Sequence, residues 1–143
     1  MAANKKPRKQ RRYVPRPALP IVFRHDAESE TALQLAPHLS LANFRMGIAE
    51  EPDWHTLAAR LNVGSVAAHK HDQMEAYALI EQSLDAIRSI KARNQRTGAW
   101  GINGDELKLI GEALYLTDEL QKALTRRQMA ECIDYVFQNA GVA

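Results

Sequence analysis

The sequence predicts an all-α protein: an irregular bundle of four to six helices preceded by a disordered basic arm. From residue 26 onward, apolar residues recur at spacings of three and four, which is the pattern of one helix face. Short connections separate the helical segments and favour antiparallel neighbours, and no alternation of strands and helices indicates an α/β fold. The first 24 residues differ sharply in composition, so we divide the chain into an arm, residues 1–24, and a helical domain, residues 25–143.

The arm concentrates positive charge. It contains eight basic residues and no acidic one: Lys5, Lys6, Arg8, Lys9, Arg11, Arg12, Arg16 and Arg24. The whole chain has 19 basic and 17 acidic residues, so residues 25–143 keep 11 basic against 17 acidic residues, a net charge of −6. Prolines and like charges predict disorder in residues 1–20. The apolar patch Ile21–Phe23 is expected to tether the arm to the body.

The helical pattern first extends over residues 28–48. Pro37 lies within it and predicts a kink, or a new helix that begins near Ala36. Pro52 suits the first turn of the next helix, which places apolar side chains on one stripe: Trp54, Leu57, Ala58 and Leu61. The stretch 62–65 either breaks this helix or is a weak point in a longer one.

Residues 72–96 show the most regular helical pattern, with a buried face that includes Tyr77, Ile80, Leu84 and Ile87. Gly98 then suits a left-handed cap. Four basic residues near the end of this helix, Arg88, Lys91, Arg93 and Arg96, fit the negative end of the helix dipole. An alternative is that they form a second basic patch with Arg126 and Arg127.

Two capping boxes mark the last helices. Asn103 with Glu106, three residues later, predicts the start of a helix that runs to about Leu124. Thr125 with Gln128 predicts the start of the final helix, which ends near residues 139–141. The acidic pairs at residues 50–51 and 105–106 also lie at predicted helix starts. There their carboxylates stabilise the positive end of the helix dipole.

The sequence indicates no metal, cofactor or catalytic site. His69 and His71 are two residues apart and would point to different sides of a helix, unlike zinc ligands. Cys132 is the only cysteine, which excludes an internal disulfide, and its apolar neighbours indicate a buried residue. The spaced glycines near residue 100 follow a helix, whereas a nucleotide-binding loop follows a strand. We therefore expect a protein that is not an enzyme.

Nucleic acid is the partner that the arm favours. Lys and Arg pair with phosphates and give salt-sensitive affinity that does not depend on base sequence. We predict contacts to DNA or RNA from Lys5, Lys6, Arg8, Lys9, Arg11, Arg12, Tyr13 and Arg16, where the tyrosine would stack on an unpaired base. The alternative is a solvated tail that aids solubility.

Trp100 lies in the connection after residue 98. It is expected either to pack across helix ends or to anchor a protein partner. No segment reaches the ~18 apolar residues that a membrane-spanning helix needs, and no apolar core of a signal peptide follows the basic start. The expected location is cytoplasmic, without a membrane partner.

Two segments resemble a known group of proteins. The start Arg11–Pro17 and the segment Ala92–Gly101, followed by Gly104–Leu107, are similar to segments of small accessory proteins from bacterial phages and prophages. The resemblance covers about a quarter of the chain and carries over no catalytic residue. It implies a mobile-element origin and an accessory role.

These observations lead to two hypotheses of different classes. The first is a non-enzymatic accessory protein that binds nucleic acid through its arm, while the body forms a homodimer or recruits a protein. The second is a regulator or inhibitor of a host protein that acts through the acidic helical body.

Overall fold

The computed structural model describes residues 27–140, which fold into five helices. They are α1 (Ala27–Met46), α2 (Glu51–Lys70), α3 (Met74–Thr97), α4 (Gly104–Ala123) and α5 (Arg126–Ala140). This part of the chain contains no strand. The predicted all-α bundle is therefore confirmed, with five helices. The arm lies outside the described residues.

Short connections place each of the helices α1 to α4 beside the next one in sequence. α3 packs between α2 and α4, while α1 lies against α2 and α4, and α5 lies against α2. Apolar faces from α1 to α4 meet in one core, whose fully buried members include Leu57, Leu61, Ile80, Ile87, Ile90, Ile110 and Leu114. A smaller cluster joins α2 to α5 and contains Val63, Ala67, Met129 and Cys132. None of the described helices is long and apolar enough to cross a membrane.

Two predicted interruptions lie inside continuous helices. α1 runs through Pro37, which is buried, so the alternative of a new helix near Ala36 is wrong. The buried Phe44 and the half-buried Leu41 pack the part of α1 that follows Pro37 against the body. α2 likewise runs through Gly64, so the stretch 62–65 does not break it.

The two predicted capping boxes and the predicted glycine cap are confirmed. The Glu106 backbone amide donates to Asn103 Oδ1 at 2.8 Å, and the Asn103 amide donates to Glu106 Oε1 at 3.0 Å. Thr125 and Gln128 make the same reciprocal pair, at 3.1 and 2.9 Å. Gly98 ends α3 with φ of 81°, a left-handed conformation that favours glycine.

Candidate functional site

The nucleic-acid-binding residues predicted in the arm, from Lys5 to Arg16, lie outside the described residues.

Several basic side chains of the body form contacts within the body. Arg93 donates to both carboxylate oxygens of Glu106, at 3.1 and 2.7 Å, and to the Gly101 carbonyl at 3.1 Å. It therefore ties the end of α3 to the start of α4, a role that the sequence pattern did not suggest.

The second basic patch does not form. Arg93 meets α4 at its first turn, whereas Arg126 and Arg127 follow the last turn of α4. A 20-residue helix is about 30 Å long, so the two groups lie near opposite ends of the bundle. Arg88 pairs with Asp85 at 2.6 Å, and the Lys91 Nζ lies 4.9 Å from the ring centroid of Trp54.

Trp100 packs across helix ends. Its side chain is half-buried against the main core, with its ring 6.0 Å from that of Trp54 between centroids. The Trp54 indole N–H in turn donates to the Ile87 carbonyl at 2.9 Å. The packing role is thus present in the structure, and the role of Trp100 as a partner anchor stays a prediction.

An open groove lies between α1 and α4. It has a volume of about 710 Å³. Leu41, Leu79, Leu107, Leu116 and Tyr115 provide apolar lining, and the polar members are His38, Arg45, Lys108 and Glu112. The groove therefore combines an apolar lining with charged and titratable side chains of α1 and α4.

A polar network adjoins this groove at His38. Asp118 of α4 accepts a hydrogen bond from Arg60 Nη2 through Oδ1, at 3.0 Å. Its other oxygen, Oδ2, lies 2.7 Å from His38 Nε2. Gln121 Oε1 also accepts from Arg60 Nη2, at 2.5 Å. Burial lowers the pKa of the Arg60 guanidinium, and its bond to Asp118 partly offsets this effect. The network therefore joins α1, α2 and α4 at a largely buried charge.

The outer face of α1 carries exposed apolar side chains. Leu35, Leu39 and Met46 are 53%, 64% and 60% exposed. Phe44 faces the core, whereas Ala36 and Ile48 are exposed. The spacing of residues 35, 39 and 46 is the signal for this outer stripe in the sequence, where it competes with the pattern of the inner face.

The remaining side chains considered for catalysis or metal binding are buried in packing or take part in helix capping. Cys132 is buried, and burial raises the pKa of its thiol, which disfavours a reactive thiolate. Glu106 caps α4 and pairs with Arg93. Within residues 27–140, no three His, Cys, Asp or Glu side chains lie close enough together to hold a metal ion.

No protein-family model matches the chain, and no curated protein or solved structure is significantly similar to it.

Proposed function

We propose that this chain is a non-enzymatic accessory protein of phage or mobile-element origin that binds nucleic acid through its basic arm. The helical body would provide a surface for self-association or for a protein partner. One observation carries the proposal: eight basic residues without an acid in residues 1–24, joined to a body with a net charge of −6. Such segregation is typical of chains with a charged partner.

The contacts within the body support assigning nucleic-acid binding to the arm and not to the body. Several of its cationic side chains already have partners: Arg60 and Arg93 form partly buried ion pairs, Arg88 and Lys122 pair with acids on their own helices, and Lys91 lies over Trp54. Positive charge used in this way contributes less to attracting phosphates. The arm thus remains the main concentration of cations in the sequence.

The arm has the chemistry that sequence-independent binding needs. Each lysine or arginine that pairs with a phosphate releases counterions, so affinity falls steeply with salt. Tyr13 offers a ring that can stack on an unpaired base and so favour single strands. The proposal leaves DNA and RNA as alternatives.

Fluorescence anisotropy tests the proposal directly. Labelled duplex DNA, single-stranded DNA and RNA are titrated with the full-length protein and with a full-length variant in which Lys5, Lys6, Arg8, Lys9, Arg11, Arg12 and Arg16 are replaced by Gln. If the arm contacts ~5–7 phosphates, duplex affinity should fall more than a hundredfold between 50 and 200 mM salt. The substituted variant should show almost no binding.

A matched control replaces basic residues of the body instead. Arg88→Gln with Arg96→Gln removes two exposed positive charges from α3 and should leave the affinity within about twofold. Equal affinity after neutralisation of the arm would reject the proposal. Far-UV circular dichroism must show unchanged helicity in all variants.

The groove between α1 and α4 favours a second candidate function, that of a protein-binding regulator. It combines an apolar lining with two cations, Arg45 and Lys108, and one anion, Glu112, which suits a partly apolar segment of another protein that carries complementary charges. A pull-down from bacterial lysate that survives nuclease treatment and neutralisation of the arm, but is lost on Leu116→Glu, would favour this function.

A further inference from the structure

The two helices that form the walls of the groove run in opposite directions. A Cβ at Gly111 of α4 would lie 3.7 Å from Leu41 Cδ2 of α1. His38, about one turn before Leu41, instead meets Asp118, two turns further along α4. Arg45, one turn after Leu41, therefore lies toward the start of α4.

Arg45 and Lys108 together form a basic end of the groove, with one cation on each wall. Both side chains are exposed, and neither forms an ion pair or a hydrogen bond with any residue that the structure describes. The lining also includes one acid, Glu112. The basic end thus keeps two cations that are available to an acidic group from outside the body.

A second depression continues the groove toward the start of α3. It has a volume of about 720 Å³ and shares Leu79 and Leu116 with the groove. Asp72 and Glu75, both exposed, form an acidic end there, and Met74 adds an apolar side chain that is 52% exposed. The continuous surface therefore has cations at one end, acids at the other and apolar side chains between them.

The length of this surface suits a helix of about three turns. α3 and α4 are antiparallel, since Arg93 near the end of α3 pairs with Glu106 at the start of α4. Residues 108 to 116 of α4 and residues 79 to 75 of α3 consequently extend in the same direction. Eight and four residues correspond to about 12 and 6 Å of helix, and the total of about 18 Å accommodates about 12 helical residues.

The charges of α4 oppose a second copy of this chain as the occupant. The exposed stripe of α4 beside the groove consists of Lys108, Glu112, Tyr115, Glu119 and Lys122, at spacings of four, three, four and three. A two-fold axis at the central tyrosine would bring lysine opposite lysine and glutamate opposite glutamate. Like charges in contact repel, so a different protein fits better.

We propose that this surface binds an amphipathic helix of another protein, with acidic residues over the basic end and basic residues over the acidic end. Its apolar face would cover Leu79 and Leu116, as apolar anchors at helical spacing do in other helix-binding grooves. The end charges would fix the alignment of the helix and exclude segments with the wrong charges. The inference rests on the second candidate function, protein binding through the groove, and specifies its partner.

Two synthetic peptides test the proposal. Each is about 14 residues long and presents leucines at spacings of three and four. The first carries glutamates at one end and lysines at the other, whereas the second carries lysines at both ends. Fluorescence anisotropy uses the full-length variant with the neutralised arm, so that the arm cannot attract glutamates. At ~50 mM salt, the first peptide should bind about fivefold more tightly or better, although the second carries more positive charge and the body is acidic.

Charge reversal at the basic end should invert this preference. Arg45→Glu with Lys108→Glu should favour the peptide that has lysines at both ends. Arg96→Glu with Arg127→Glu makes the same change in net charge at exposed residues outside the groove, and it should leave the original preference in place. A preference that stays the same after reversal of the basic end would overturn the proposal.

Substitutions in the apolar middle separate this inference from the function on which it rests. Leu116→Glu and Tyr115→Glu should each weaken the first peptide about tenfold or more, with unchanged helicity by circular dichroism; the tyrosine is 62% exposed, so its variant should fold. Binding that depends on these residues but not on the end charges would reject the inference and leave protein binding intact. If neither peptide binds, the inference fails, and the pull-down with Leu116→Glu judges the second candidate function separately.

Discussion

Gly64 of α2 lies directly against Thr117 of α4, where a Cβ atom on the glycine would overlap the methyl group of the threonine. Both residues are buried, so the side chain of Thr117 cannot turn to solvent to make room for a larger residue at position 64. The contact explains why a residue with poor helix propensity lies inside a continuous helix.

Gly64→Ala should therefore destabilise the protein. Alanine is intrinsically the better helix former, but here its methyl group must displace Thr117, and overpacking of this kind costs about 1–3 kcal/mol. Urea denaturation followed by circular dichroism measures the change in the free energy of unfolding. Adding Thr117→Ser, which removes the obstructing methyl and keeps the hydroxyl, should recover much of the loss.

Gly111 of α4 provides the matched control. A Cβ there would lie 3.7 Å from Leu41 Cδ2, an ordinary contact. Gly111→Ala should thus stabilise the protein by about 0.5–1 kcal/mol through helix propensity. Equal effects of the two substitutions would show that Gly64 and Thr117 do not set the distance between α2 and α4.

Glu106 should make stability depend on pH. Burial raises the pKa of its carboxyl, but hydrogen bonds from Arg93 and from the Asn103 amide outweigh this effect and hold it below its ordinary value of 4.5. A carboxyl with a lowered pKa in the folded state stabilises the protein above the unfolded pKa, and this contribution is lost as the pH falls through the folded pKa.

Glu106→Gln separates the ion pair from the helix cap, since glutamine can still accept from the Asn103 amide. It should cost about 1–2 kcal/mol at pH 7. The difference from the native protein should shrink below pH 4.5 and vanish in stronger acid. Denaturation curves over this range are the measurement, and a difference independent of pH would contradict the ion-pair contribution.

Asp118 neutralises the buried guanidinium of Arg60, whose side chain is only 11% exposed. Asp118→Asn would leave that cation without a charged partner and should cost about 2–4 kcal/mol. Glu119→Gln, next in sequence, removes an acid from an exposed pair with Lys122 and should cost less than about 0.5 kcal/mol. Comparable losses in chemical denaturation would argue against a special role for the Arg60 site.

These residues show where sequence reasoning succeeds and where it stops. The capping boxes of Asn103 and Thr125 were predictable because their partners lie three residues away, within one local conformation. Arg60 and Asp118 are 58 residues apart, so only the packing of α2 against α4 brings them together. Glu106 was recognised as a cap, but its ion pair with Arg93 depends on how α3 and α4 meet.

The candidate binding surfaces also differ in whether the sequence alone predicts them. The charge of the arm is a property of composition and could be predicted directly. The groove between α1 and α4 could not, because Leu79 and Leu116 line it only through tertiary packing. The outer stripe of α1 was visible as a spacing, yet two apolar faces compete on that helix, and choosing the buried one requires knowledge of its neighbours.

Substitution of Trp100 distinguishes a role in packing from a role in recognition of a protein partner. Its half-buried ring contacts the core and lies near Trp54, so Trp100→Ala should lower the free energy of unfolding by about 2–3 kcal/mol and change the near-ultraviolet circular dichroism of the remaining tryptophan. Tyr115→Ala, at a ring that is 62% exposed, is the control and should change stability by less than about 0.5 kcal/mol. If Trp100→Ala instead left stability unchanged, packing would not account for an aromatic side chain at this position. The ring would then be better explained as an anchor for a protein partner.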